Sequence, residues 1–451
     1  MNKKFQSAVK IAICLLAGLL STYIYFPGSY SNDSWSQYIH MTIHWYDDWF
    51  GPGMVALWRV LWLATSKYTS LFLLQMAAYW TFVAFLTSRL PLTSTRYVAV
   101  MIAAIYCCFI PQYQMRDSLM AISWGLATLL MLQLPHLKNK AIAVAVILLL
   151  IFYGLWLRPN AAAALVPFVL ALVVAVWRRI SMWKAIAASI LISAALFAAT
   201  GFATYRVMHA AKAFPSYKLK LLDLVGISKL SGINQLPACI TSHPTFNYNK
   251  TLALYTPATI DHIYWSPDAL IPSPTEELNA CVSKQWVTTI SKYPGLYLAN
   301  RADGFLYYLR IKKRFKADEY SNAFIDIDPQ NPLHLTQKNS RVRNTIKEAY
   351  RIMGRACLFD PWLWLLLNIC AFGFTIAKFR KSGTSALQVL ACVQLSGIIF
   401  LLSQVLIYQH DQDFRYNYWL VFVIFITLGT FNANTIAGRG ATAKGDSEAL
   451  Q

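Results

Sequence analysis

Residues 27–52 read PGSYSNDSWSQYIHMTIHWYDDWFGP, and they directly follow the first long apolar run of a 451-residue chain. Three carboxylates (Asp33, Asp47, Asp48) and two histidines (His40, His44) sit among Trp35, Tyr38, Trp45 and Trp49. At helical spacing, Asp33, Gln37, His40 and His44 share one face; Trp35, Tyr38, Ile39, Thr42, Ile43 and Tyr46 share another. That pattern predicts a short amphipathic helix on a membrane surface, with its acid-bearing stripe turned away from lipid. A solvated loop with interfacial aromatics is the plain alternative. Three acids in one loop favour the helix, because the whole chain has only 20 acidic residues.

Outward from this loop, the composition excludes an ordinary soluble domain. The chain is 57% apolar and 13% charged, with a mean hydropathy of +0.42. Runs near 9–26, 69–88, 97–111, 118–134, 141–157, 161–177, 185–204, 361–377, 385–407 and 417–434 approach the ~20 residues that cross a bilayer. The expected fold is therefore an α-helical polytopic membrane protein with about ten transmembrane helices. It adds interfacial helices in the first exported loop and an exported mixed domain. The first run ends at Tyr25-Phe26-Pro27 without a small-residue cleavage site, and it reads as a retained span.

The net charge of +20 does not point to nucleic acid, since the basic residues are scattered over short loops with no nucleic-acid module. Their distribution sets orientation instead. Fifteen lysines and arginines fall on the N-terminal side of the membrane, among them Lys3, Lys4, Arg178, Arg179, Arg380 and Lys381. Only Arg59, Lys67, Arg116, Arg158 and Arg415 fall in the short loops opposite. Both termini are thus expected in the cytoplasm, with the chain in a bacterial inner membrane. The run 54–66 is short, carries Arg59, and reads as a second interfacial helix.

This orientation divides the chain into 1–204, a transmembrane region with the acidic first exported loop 27–68; 205–358, an exported domain; 359–436, a second transmembrane region; and the tail 437–451. The exported domain is basic and long enough for a modest core, with its densest basic run at Lys312, Lys313, Arg314 and Lys316. The Leu221–Ser228 stretch reads as a structured element. Of eight cysteines, Cys239 and Cys281 are the preferred exported pair for a disulfide. No Cys/His spacing resembles a zinc site, and no metal ligand is assigned. No cofactor is indicated, and a divalent cation is left open.

The polar groups outside the cytoplasmic loops all converge on one face of the membrane, which marks a site. Asp33 is the first candidate for a general base toward a hydroxyl. Asp48 is the second, with Asp47 able to assist, bind a cation or cap the next element. Gln37 and His40 share the face of Asp33. Arg116-Asp117-Ser118 is either a ligand-binding turn or a salt-bridged helix start capped by Asp117 or Ser118. Arg158-Pro159-Asn160 interrupts two apolar runs, and Arg158 there needs an anionic partner, either a phosphate or a loop acid. His410-Asp411-Gln412-Asp413-Phe414-Arg415-Tyr416 precedes the last run; Arg415 is suited to a phosphate, Asp413 to orienting it, and Tyr416 to lining the same site. An interfacial anchor is the alternative reading of that cluster.

Pro27-Gly28, Asp33-Ser34-Trp35, Gln37-Tyr38, Asp48-Trp49 and Pro52, followed by Leu157-Arg158-Pro159-Asn160, His243-Pro244, Tyr293-Pro294 with Tyr297 and Arg301, and Asp413-Phe414-Arg415-Tyr416, resemble multi-pass membrane glycosyltransferases of the GT-C fold. They resemble bacterial members of that fold and the O-antigen-modifying glucosyltransferases. Many members carry two acids spaced by one residue, whereas Asn32-Asp33 leaves one. The resemblance implies a polyprenyl-phosphate-linked sugar, a hexose such as glucose, as donor. It implies a cell-surface glycan or lipid such as lipopolysaccharide as acceptor, Asp33 as base, and Arg158 and Arg415 on the lipid phosphate. An O-antigen polymerase or ligase is the enzyme alternative. A lipid or solute transporter is the non-enzyme alternative, disfavoured because charge gathers at one rim and not at mid-membrane.

Overall fold

The computed structural model describes residues 3–88, 90–244, 246–265, 271–312, 327, 331–335, 340–407 and 413–430. Its longer helices are numbered here in chain order: α1 (Lys3–Tyr25), α2 (Asn32–Ile43), α3 (Pro52–Thr65), α4 (Ser70–Thr87), α5 (Thr95–Tyr106), α6 (Arg116–Gln133), α7 (Lys140–Leu157), α8 (Ala162–Val176) and α9 (Met182–Phe202). Then come α10 (Ser216–Ser231), α11 (Glu276–Lys292), α12 (Pro294–Tyr308), α13 (Arg341–Arg355), α14 (Pro361–Ser382), α15 (Ser385–Ile407) and α16 (Tyr418–Thr430).

Among the described residues, nine helical stretches are long and apolar enough to cross a membrane. They begin at Phe5, Ser70, Thr95, Arg116, Lys140, Pro159, Met182, Pro361 and Ser385. The chain is an α-helical polytopic membrane protein. The tenth expected span, 417–434, corresponds to α16, which is strongly apolar over its described length, and residues 431–434 lie outside the described residues. The stretch from Thr95 bends where α5 ends at Tyr106 and a short helix takes over at Phe109–Gln112.

The membrane core is built by α4, α6, α8, α15 and α16, whose side chains are largely buried. Trp124 of α6 stacks on Phe168 of α8 at 4.5 Å and meets Trp419 of α16 edge-on at 5.3 Å. Its indole N–H donates to the Ile151 carbonyl of α7 at 3.2 Å. This close approach requires Gly154, where an added Cβ would collide with the Trp124 ring. Peripheral helices show the opposite pattern. Leu15, Leu16 and Leu19 of α1 are exposed, which suits a helix facing lipid.

The short helix α3 lies beside α2 and buries Met54, Val55 and Trp58 while exposing Val60 and Leu63; at 14 residues it is shorter than the stretches long enough to cross a membrane.

Region 205–358 has its own core of Tyr217, Leu221, Leu222, Leu224 and Val225 from α10, packed with Leu236, Ile240, Ile260, Ile263 and Val282. The mixed character expected for it narrows, among the described residues, to helix and loop with isolated β-bridges. The reason is local punctuation: Asn247, Thr275 and Ser340 cap helices with their side chains, and Pro294 occupies the first turn of α12. At its centre the Asp223 carboxylate meets Arg301 at 2.6 Å, the Trp286 indole N–H at 2.7 Å and the Asn300 amide at 3.4 Å. Arg301, part of the motif set noted above, serves this core, while Pro294 is exposed at the start of α12. The basic run Lys313, Arg314 and Lys316 lies outside the described residues.

The Cys239–Cys281 disulfide is present and ties the short helix at Ala238–Thr241 to α11 across a sequence separation of 42. Replacing both cysteines by serine is expected to cost about 2–4 kcal/mol by the chain-entropy estimate. The check is limited proteolysis of the intact protein: cuts should appear first within 205–308, and an unchanged digestion profile would contradict the estimate.

Candidate functional site

The start of α2 places Asp33. Ser31 caps the helix by accepting from the Ser34 N–H, and the Ser34 hydroxyl accepts from the Ser31 N–H at 3.2 Å. Ser34 Oγ also donates to the Gln114 carbonyl at 2.8 Å. A bridge between Ser29 and Tyr113 runs alongside, with Ser29 N–H to Gln112 O at 2.9 Å and Gln114 N–H to Ser29 O at 3.0 Å. The first loop is thereby fixed to the turn before α6. Asp33 falls in the first turn of α2, where the helix dipole favours a carboxylate.

The faces of α2 differ from the sequence expectation. Asp33 and Gln37 turn inward: Gln37 is fully buried and its amide donates to the Asp33 carbonyl at 3.1 Å. Trp35, expected toward lipid, is buried and stacked on Tyr30 at 4.5 Å, while Ile39 and Ile43 remain exposed. The periodicity gives the helix but not its buried face: α3 and the turn before α6 cover Ser34, Trp35, Gln37 and Met41, which come from both expected stripes and from between them.

Asp33 Oδ2 lies 2.9 Å from Arg415 Nη2, with the acid 38% exposed and the arginine 10%. Arg415 Nε lies 3.0 Å from Asp413 Oδ2. Asp413 is the N-cap of the single-turn helix Phe414–Asn417 that carries Arg415, and its Oδ1 accepts from the Arg415 N–H at 3.2 Å. Tyr416 is buried between two arginines. Its hydroxyl accepts from Arg415 Nη2 at 3.2 Å, and its ring faces the Arg158 guanidinium at 4.9 Å. Arg158 Nε in turn lies 2.9 Å from Asp117 Oδ1, both side chains almost fully buried. The partner of Arg158 within the protein is therefore the acid of Arg116-Asp117-Ser118. Asp117 and Ser118 do not cap α6: the N-cap position is Met115, without a side-chain hydrogen bond. Arg116 Nη1 donates to the carbonyls of Trp49, at 3.1 Å, and Phe50.

Electrostatics decide the state of Asp33. Burial alone raises its carboxyl pKa, but Arg415, Arg116 and Arg158 outweigh burial and hold it below its ordinary value. Asp223 makes the contrast. It is more deeply buried and has one arginine, and there desolvation wins and the carboxyl is pushed up. Asp33 is thus ionised throughout the neutral range and becomes protonated only as pH falls through and below the usual carboxylate range.

The remaining sequence candidates lie around this centre with other partners. His40 Nδ1 is 3.7 Å from Asp47 Oδ2, and Asp47 Oδ1 accepts from the Phe50 N–H at 3.0 Å. Asp48 joins two distant parts of the chain. Its carboxylate accepts from the Ala213 N–H at 2.6 Å and from the Tyr205 hydroxyl at 2.9 Å. Asn160 is half-buried and makes no side-chain hydrogen bond among the described residues. His410, Asp411 and Gln412 lie outside the described residues. Among the described residues, no group of three or more His, Cys, Asp or Glu side chains is gathered as a metal site.

The sequence reading missed Lys218. It is 4% exposed, and its ammonium faces the rings of Tyr264, Trp265 and Trp49 at 3.7, 4.0 and 4.1 Å. Burial pushes its pKa down to about 8, opposed by the charges of Asp261 and Asp33. One of three lysines on α10, beside Lys220 and Lys229, gives no local signal. The one available sign is the run Asp261-His262-Ile263-Tyr264-Trp265, an acid among aromatics like the opening loop. Since the folded pKa lies below the unfolded 10.5, the unfolded chain binds the extra proton between these values. The contribution of Lys218 to stability therefore rises as pH climbs from about 8 toward 10.5. Lys218→Met should remove that rise. Unfolding midpoints of both proteins across this range test it, and parallel curves would contradict it.

No family model matches the chain, and no curated protein matches it. Among solved structures it is similar to the oligosaccharyltransferase AglB from Archaeoglobus fulgidus in complex with an inhibitory peptide and a dolichol-phosphate (13% identity, TM-score 0.39, 98% of this chain and 52% of that chain). It is similar also to the oligosaccharyltransferase of that organism in complex with Zn and sulfate (12%, TM-score 0.38, 96% and 50%) and in the apo form (13%, TM-score 0.40, 98% and 52%). The chain spans about half the length of those structures.

Proposed function

We propose that this protein is a membrane glycosyltransferase that moves a sugar, a hexose such as glucose, from a polyprenyl-phosphate donor to a cell-surface glycan or lipid. The basic-residue asymmetry supports a reaction on the non-cytoplasmic face, the periplasmic side of a bacterial inner membrane in this reading. The observation that carries the proposal is the part-open Asp33 carboxylate, 2.9 Å from Arg415 and under the field of Arg116 and Arg158, at the ends of membrane-spanning helices.

Transfer breaks the bond between the anomeric carbon and the phosphate oxygen and forms one to the acceptor oxygen. The acceptor proton passes to Asp33, and the polyprenyl phosphate leaves as an anion. A carboxylate held below its ordinary pKa is a weak base. The shared arginine resolves this. A donor phosphate competes with Asp33 for the forked guanidinium of Arg415. As Arg415 turns to the phosphate, it ceases to stabilise the Asp33 anion, whose proton affinity then rises when the acceptor proton must be taken. Arg415 thus couples donor binding to base strength, while Arg158, tied to Asp117, and Arg116, tied to the loop carbonyls, supply fixed positive charge.

The test is the full chain in nanodiscs, given polyprenyl-phosphate glucose and other polyprenyl-phosphate hexoses with lipopolysaccharide or glycan acceptors. The expected result is released polyprenyl phosphate matched by a hexose-sized mass gain on an acceptor. Absence of transfer from every such donor overturns the proposal.

A further inference from the structure

Helix α13, RVRNTIKEAYRIMGR, partitions its side chains into three sectors. One sector packs on the protein. Tyr350 is buried, its hydroxyl 3.0 Å from that of Tyr25 at the end of α1 and 3.2 Å from the Tyr106 carbonyl at the end of α5. Arg343 donates to the Phe26 carbonyl at 3.3 Å, and Ile346 and Met353 pack against the membrane core. A second sector is exposed and largely apolar: Val342, Thr345, Ala349 and Ile352, with Val342 53% and Ile352 55% exposed. The third is polar, with Arg341, Asn344, Arg355 and the Glu348–Arg351 ion pair.

Connectivity fixes where this helix lies. Only residues 356–360 separate α13 from α14, a membrane-spanning helix, and α13 docks on the ends of α1 and α5. It therefore lies at the interface, on the same membrane end as Asp33, which follows α1 in the chain. At that depth an apolar sector beside a cationic one meets acyl chains with the first and headgroups with the second. The helix carries five cationic residues, Arg341, Arg343, Lys347, Arg351 and Arg355, against the single acid Glu348.

We propose that α13 is an interfacial anchor that seats anionic phospholipid headgroups against Arg341 and Arg355. The charge balance selects anionic over zwitterionic lipid, and the apolar stripe selects a bilayer over soluble phosphate. The proposal stands apart from the enzymatic reading and needs no activity.

The test uses the full chain in phosphatidylcholine vesicles with spin-labelled phosphatidylglycerol or phosphatidylcholine as probe. The wild-type chain is expected to favour phosphatidylglycerol. The double variant Arg341→Gln/Arg355→Gln is expected to lose about fivefold of that selectivity per arginine. Equal association of the two probes, or unchanged selectivity in the variant, overturns the proposal. A second measurement needs no substitution: phosphatidylcholine with a diazirine in its acyl chain should label Val342 or Ile352 in the wild-type chain. Labelling of the membrane-spanning helices without α13 overturns the interfacial placement, even if the double variant fails to fold.

Discussion

Asp33→Asn is expected to lower sugar transfer by about 10²–10⁴-fold, the usual contribution of a positioned general base, while expression and membrane insertion stay at wild-type levels. The substitution keeps the size of the side chain and removes only its charge. The start of α2 is held by Ser31, Ser34 and the Ser29–Tyr113 bridge, none of which involves the Asp33 carboxylate. Arg415 keeps Asp413 as an anionic partner at 3.0 Å, so no cation is stranded. The loss should therefore appear in the rate of transfer at saturating donor, with donor affinity equal or improved because Asp33 no longer competes for Arg415. A loss confined to donor affinity would move the role of Asp33 from chemistry to binding.

Arg415→Ala has the second largest expected effect. It removes the group shared by Asp33 and Asp413 and the donor to the Tyr416 hydroxyl. Removing one such preorganised donor costs about 10²–10³-fold in related situations, and here the loss should fall mainly on kcat/KM for the lipid donor. Arg415→Lys keeps a charge without the forked geometry and should recover part of it. The sign of the pH effect follows from the causes of the Asp33 shift. Arg415 contributes most to lowering that carboxyl, so without it the Asp33 pKa rises. The residual kcat/KM of Arg415→Ala, which reports the free enzyme, should then begin to fall at a higher pH than that of the wild type as acid is added. A profile that does not move would separate Arg415 from Asp33.

Which of these features the sequence reveals depends on how local their causes are. The membrane-spanning helices follow from length and apolar composition, and Asp33 follows from an acid-bearing stripe at helical spacing. Compartment permits a disulfide among the exported cysteines, and Cys239–Cys281 is the pair that forms. What stays hidden is set by partners far along the chain. Asp48 reads as a second base, yet its carboxylate is engaged by Tyr205 and Ala213, 157 and 165 residues away. Arg158 reads as a ligand for either a phosphate or a loop acid, and its protein partner, Asp117, comes from a turn that looks like a helix cap. Trp35 reads as lipid-facing, but the covering of α2 buries it. Lys218 has no local pattern at all, since its aromatic surroundings come from the first loop and from residues 264–265.

The account rests on Asp33, and not Asp48, being the reactive acid. Turnover of Asp33→Asn and Asp48→Asn at saturating polyprenyl-phosphate hexose, measured side by side on purified protein, tests this most directly. Asp33→Asn should be inactive with an unchanged unfolding midpoint; Asp48→Asn, having lost its ties to Tyr205 and Ala213, should unfold earlier but still turn over measurably. Near-wild-type turnover in Asp33→Asn, with Asp48→Asn inactive and fully folded, would contradict the account.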